Sequence, residues 1–208
     1  MQTSNPRLPY LHFIYISIVL AAVLCICLLI QQQDSLRQDL YHWQDKAEHY
    51  ENELNKYEDE LNKINRYAAH YKTTPEIVAT VFRESEKHKI DPLIMLELIR
   101  AESNFNPKAR SKYDARGLCQ IRPVTAKSVA KRAGVEYRPE LLLDPEYSII
   151  LGTFHLAELV EMFEQDYHKA LTAYNRGIKG MTDYTKRTGS PVSSYSKRIR
   201  ENSLAVAM

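Results

Sequence analysis

Residues 90–107 read Ile90-Asp91-Pro92-Leu93-Ile94-Met95-Leu96-Glu97-Leu98-Ile99-Arg100-Ala101-Glu102-Ser103-Asn104-Phe105-Asn106-Pro107. Asp91 followed by Pro92 is a helix start, with a capping side chain and a first-turn proline that has no N–H to lose. Leu93, Leu96 and Ile99 recur at helical spacing, and Ile94 and Leu98 widen that stripe into a broad buried face. Asn104 and Pro107 end the helix. Glu102 therefore falls in the last turn, where the negative end of the helix dipole opposes a second negative charge. Partial burial there raises a carboxyl pKa further, which suits a group that donates a proton.

The same punctuation recurs outward from this segment. Thr73-Thr74-Pro75-Glu76 opens a preceding helix. Helical patterns are expected at 75–88, 92–103, 125–133, 145–164, 167–175 and 193–202. No alternating Val/Ile/Thr run or Asn-Gly turn marks a strand. The expectation is a mainly α-helical domain over 72–208.

Upstream the character changes. Leu11 to Ile30 is almost wholly apolar, and twenty helical residues cover ~30 Å, the thickness of a bilayer core. The run exceeds a signal-peptide core and lacks a small-residue cleavage site after it, so a retained single-pass transmembrane helix is expected over 11–30. Arg7 precedes the span while Asp34 and Asp39 follow it. That asymmetry places residues 1–10 in the cytoplasm and the remainder outside. From Leu36 through Leu40, Trp43, Ala47, Tyr50, Leu54, Tyr57, Leu61 and Ile64 to Ala68, apolar residues fall four and three apart. This is a heptad seam, and 31–71 reads as a coiled-coil stalk reaching ~55 Å. Its partner is another copy, a helix of another protein, or the head itself.

Residues 72–208 carry 22 Lys/Arg against 17 Asp/Glu, and residues 31–71 carry 5 against 9. The basic residues are scattered and the head is expected outside the cytoplasm, which argues against a nucleic-acid partner. Cys25, Cys27 and Cys119 form no Cys-x-x-Cys pair or His/Cys cluster, so neither a disulfide framework nor a metal site is expected.

Four blocks in order carry a resemblance. Glu102-Ser103-Asn104-Phe105-Asn106-Pro107-Lys108-Ala109-Arg110-Ser111 comes first, and Gly117-Leu118-Cys119-Gln120-Ile121-Arg122-Pro123-Val124-Thr125-Ala126 follows. Ala173-Tyr174-Asn175-Arg176-Gly177 and Tyr195-Ser196-Lys197-Arg198-Ile199 complete the set. Together they resemble the catalytic domain of soluble-type lytic transglycosylases, a lysozyme-like fold of the goose type. The resemblance implies Glu102 as sole catalytic acid/base and Ser111 as a hydroxyl hydrogen-bonded to it. It further implies Gln120, Tyr174 and Asn175 as groove-lining residues, and Tyr195 as one closing the groove. The implied substrate is the peptidoglycan glycan strand, cut without a cofactor between N-acetylmuramic acid and N-acetylglucosamine to leave a 1,6-anhydromuramyl end. A bacterial inner-membrane protein with a periplasmic head follows from that resemblance and the span together.

The pattern is broken in places. Cys119 and Arg122 stand where the family carries Met, Ser148 and His155 where it carries Asn and Tyr, and Pro191 where it carries Glu. His155 reads as packing or groove lining. Two other functions stay open. One is a goose-type-like muramidase using water, for which Asp114 is the sequence-near second carboxylate. The other is a non-catalytic tether that binds the wall.

Overall fold

The computed structural model describes residues 8–207. Residues 1–7 of the expected cytoplasmic segment 1–10, including Arg7, lie outside the described residues. Among the described residues, seven α-helices follow one another: α1 (Leu8–Tyr71), α2 (Pro75–Lys87), α3 (Pro92–Ser103), α4 (Pro123–Ala133), α5 (Pro145–Met162), α6 (Tyr167–Thr188) and α7 (Ser194–Ala207). A 3-10 segment, Pro139–Leu143, leads into α5. Among the described residues, extended pairing is limited to the isolated bridges Arg110↔Arg116 and Arg116↔Ile121.

The chain forms two compact units, one ending at Glu60 and the other beginning at Leu61. In the first, the part of α1 up to Glu60 is helical without a break, and its described side chains are all exposed. Its amino-terminal part is long and apolar enough to cross a membrane. Leu36, Leu40, Trp43, Tyr50, Leu54 and Tyr57 of the heptad seam are bare.

The second unit is built around α3. Ile94, Met95, Leu96, Leu98 and Ile99 have no exposed surface, so the middle of the helix is buried on every side, as in a central helix. It packs against α2 and α7, while α5 packs on α2, α4 and α6. Side-chain caps hold the helix starts. Thr74 accepts from the Ile77 N–H, Asp91 from Leu93, Asp144 from Tyr147, and Asp166 from both His168 and Lys169. Each cap satisfies backbone donors that helix geometry leaves unpaired.

The helix expected at 193–202 runs on to Ala207, and that expected from 125 begins at Pro123; two larger differences bear on the cleft and on where the unit begins. The helix expected at 167–175 runs on to Thr188, across a break at Gly177 (φ 76, ψ 161) that only glycine adopts without strain. Two glycines and an exposed polar face hide the continuation 178–188 from a periodicity argument. The compact unit also begins ahead of the expected start at residue 72. Tyr67, Ala68 and Tyr71, at the end of α1, are buried in its core. The Tyr71 hydroxyl donates to Glu97 Oε1 at 2.9 Å, and Arg100 pairs with Glu97 Oε2 at 2.5 Å. These contacts explain how a carboxylate with 1% exposure survives in the centre of α3.

Candidate active site

Glu102 stands at the end of α3 in the wall of a cleft of about 570 Å³. Asn104 and Phe105 follow in left-handed conformation (φ 50 and 60) and turn the chain sharply. Phe105 is buried, its ring 5.3 Å from that of Tyr71. The Glu102 carboxyl is half-buried, and its Oε1 accepts a 2.6 Å hydrogen bond from the Tyr195 hydroxyl of α7. Burial raises its pKa, while the Tyr195 bond and the nearby Arg198 charge pull it back down; the net direction is upward. Burial outweighs its two stabilisers, so the carboxyl is biased towards its neutral, proton-bearing form.

The opposing architecture is the loop from residue 106 to 122. Gly117 sits at φ 74, and a Cβ there would lie 1.8 Å from the Leu142 carbonyl oxygen, so no other residue fits. Its N–H donates to Ala109. Gln120, itself left-handed, donates its amide N–H groups to the Ala109 and Gly117 carbonyls at 3.1 and 2.9 Å. Both amide hydrogens are thereby used, which leaves the side-chain oxygen as the group available to a ligand. Cys119 is fully buried, its N–H bonded to Ser148 Oγ and its carbonyl to the Tyr174 hydroxyl. Burial pushes the Cys119 thiol pKa well up, so the thiol stays neutral.

Glu102, Ser111, Gln120, Tyr174 and Asn175 all line this one cleft. Tyr195 reaches it through the Glu102 carboxyl. The bond implied between Ser111 and Glu102 is not among those formed. Ser111 Oγ instead accepts from the Tyr113 and Ala115 N–H groups at 3.2 and 3.1 Å. Two accepted bonds occupy its lone pairs and leave its hydrogen free to donate. Asp114 is exposed and held bidentately by Arg116 at 2.8 and 2.9 Å, which lowers its pKa and commits it to the turn. His155 lines the cleft with its ring 5.3 Å from Tyr174, and burial lowers its pKa.

Sequence reasoning named Tyr195 but missed its contact with Glu102, and it missed polar residues of the cleft wall. Tyr195 as the partner of Glu102 lies 93 residues away, and no local pattern announces such a contact. Tyr113 and Arg176 also line the cleft. Arg176 sits inside a quoted block, so its place beside Asn175 was the available signal.

Comparison with known proteins places this geometry. A family model described as Transglycosylase SLT domain matches residues 79–195. A putative soluble lytic murein transglycosylase of Haemophilus influenzae is 33% identical over 105 residues, covering 50% of this chain and 18% of that protein. The membrane-bound lytic murein transglycosylase C of Photorhabdus laumondii is 34% identical over 116 residues, covering 51% and 32%. Among solved structures, a complex of a 70-kDa soluble lytic transglycosylase with bulgecin A superposes with a TM-score of 0.57 at 26% identity, over 62% of this chain and 24% of that one. An inactive glutamate-to-glutamine mutant of the Pseudomonas aeruginosa lytic transglycosylase Slt gives 0.54 at 26% identity, over 62% and 23%. The chain thus spans well under half the length of each of these four proteins, and what they share with it is the domain around the cleft. Since that domain takes up more than half of the chain, the chain belongs to the SLT transglycosylase domain family.

Proposed function

We propose that the chain is a membrane-anchored lytic transglycosylase of the bacterial cell wall, with Glu102 as its single acid/base. The observation that carries this reading is the Glu102 carboxyl: exposed to the cleft, biased by burial towards its protonated form, and fixed by Tyr195. With Tyr195 donating to Oε1, the transferable proton sits on Oε2. That proton passes to the glycosidic oxygen between N-acetylmuramic acid and N-acetylglucosamine as the bond to C1 breaks. Positive charge develops at C1 and is met by the acetamido oxygen of the substrate. The resulting Glu102 carboxylate then takes the proton from the muramyl 6-hydroxyl as its oxygen bonds to C1. The acid is regenerated, the product is a 1,6-anhydromuramyl end, and no water is consumed. The Tyr195 bond stabilises the carboxylate during the interval in which it is charged.

The remaining cleft residues have complementary parts in this reading. Gln120 offers its side-chain oxygen to a sugar donor, and Ser111 offers its hydroxyl hydrogen. Asn175 offers both amide groups, and Tyr174, its hydroxyl spent on Cys119, offers a ring face. The apolar segment 11–30 holds the protein in the inner membrane with the head in the periplasm, and the heptad seam engages a second copy or a partner helix. The apolar helix and the membrane-bound relative support the anchoring.

Mass spectrometry of muropeptides released from purified sacculi by the full chain in detergent tests the chemistry. Anhydro ends, lighter by one water, are the expected product. Reducing ends would make the protein a hydrolase, and no release would leave a binding tether.

A further inference from the structure

Among the described residues, two guanidinium groups face the cleft without an anionic partner. Arg122 lies exposed at the start of α4, lines the cleft, and makes no side-chain capping bond. Its charge helps hold down the Asp114 pKa, but both Asp114 oxygens are already taken by Arg116. Arg176, also exposed and lining the cleft, stacks at 4.8 Å over the Tyr184 ring. A cation–π contact with a ring uses no hydrogen-bond acceptor, so it leaves the guanidinium N–H donors to a ligand. The one carboxyl among the lining residues is Glu102, which must be neutral to act. The working cleft is therefore cationic. The hydroxyls and acetamido groups of a bare sugar give two cations nothing to neutralise.

We propose that Arg122 and Arg176 form a carboxylate-binding subsite that holds the anionic substituents of the muramyl residue. This rests on the transglycosylase reading, since that reading places a muramyl residue in the cleft. The carboxylates come either from the stem peptide or from the lactyl group itself where the peptide has been removed. Planar guanidinium donors match a carboxylate in two-point contact.

Binding separates this proposal from turnover. The full-length Glu102→Gln chain in detergent is titrated with three soluble glycan preparations. One bears native stem peptides, one has the carboxylates of those peptides capped with methylamine, and one is stripped by an amidase that frees the lactyl carboxylate. Capping is expected to weaken binding at least about fivefold, the size of two partly screened charge-assisted contacts. Adding Arg122→Gln and Arg176→Gln removes the difference between native and capped chains, and Arg122→Lys retains part of it. The difference shrinks as salt is raised. Tight binding of the stripped chains assigns the contact to the lactyl carboxylate, and weak binding assigns it to the peptide. Equal affinity for native and capped chains, or discrimination that survives the double Gln substitution, overturns the subsite. Anhydro products from the wild type alongside equal affinities would sink the subsite and leave the transglycosylase reading standing.

Discussion

The fold disfavours the charged form of Glu102, and that has a thermodynamic signature. A folded-state pKa above the unfolded one means that the folded chain binds the proton more tightly. The contribution to stability is complete below the ordinary carboxyl range and is lost as pH rises through the raised value. Glu102→Gln removes the ionisation. Its Tm is therefore expected to match the wild type in acid and exceed it near neutrality, while activity on sacculi falls about 10²–10⁴-fold, the usual worth of a general acid/base. A wild-type Tm advantage at neutral pH would contradict the burial argument. Tyr195 acts in the opposite sense, because its hydrogen bond favours the carboxylate. Tyr195→Phe should raise the Glu102 pKa further and move the alkaline limb of the kcat/KM profile to higher pH, with a smaller loss of rate than Glu102→Gln. An unmoved limb would separate Tyr195 from the titration. The placing of Glu102 at a helix end was legible locally, in a helix that ends on Asn104 and Pro107, but its candidacy as the acid came from the four-block resemblance. The donor that fixes it was not legible, because packing of α7 against α3 creates the contact.

At the scale of elements, caps and prolines made the starts of α2 and α3 readable: Thr74 and Asp91 each do what their position suggests. The end of α6 was unreadable because its break depends on one dihedral pair. A Cβ added at Gly177 would meet nothing within 4 Å, so the requirement for glycine there is purely one of backbone conformation. Gly177→Ala is expected to cost about 1–3 kcal/mol and to displace Asn175 from the cleft, read as a rise in KM. Gly117 differs, since there both the dihedral and the Leu142 carbonyl exclude a side chain. Gly117→Ala should cost more than about 2 kcal/mol and disorganise the loop that carries Ser111 and Gln120. Denaturant midpoints of the two variants check the order, and a Gly117 variant as stable as the Gly177 one would refute it.

At the scale of the whole molecule, the apolar run and the heptad spacing are plain in the sequence, but the residue at which the second compact unit begins is not. Tyr67 and Tyr71 fall in a helical pattern that continues unbroken, and only their burial shows which unit they serve. Burying a large apolar side chain is worth about 1.5–3 kcal/mol, so a fragment starting at 72 is expected to be less stable than one starting at 61 by roughly 3–6 kcal/mol. Equal denaturation midpoints for the two fragments would show that the end of α1 contributes nothing. Anchoring is tested on spheroplasts, where added protease should release the head and leave a short membrane fragment; a head already soluble and trimmed would refute a retained span. The bond from Tyr71 to Glu97 also has a consequence for heredity. A mutational scan along α1 would cross an invisible border inside a single helix. Lesions before Glu60 would leave the second unit folded, whereas lesions at Tyr67, Ala68 or Tyr71 would score with those that unfold it.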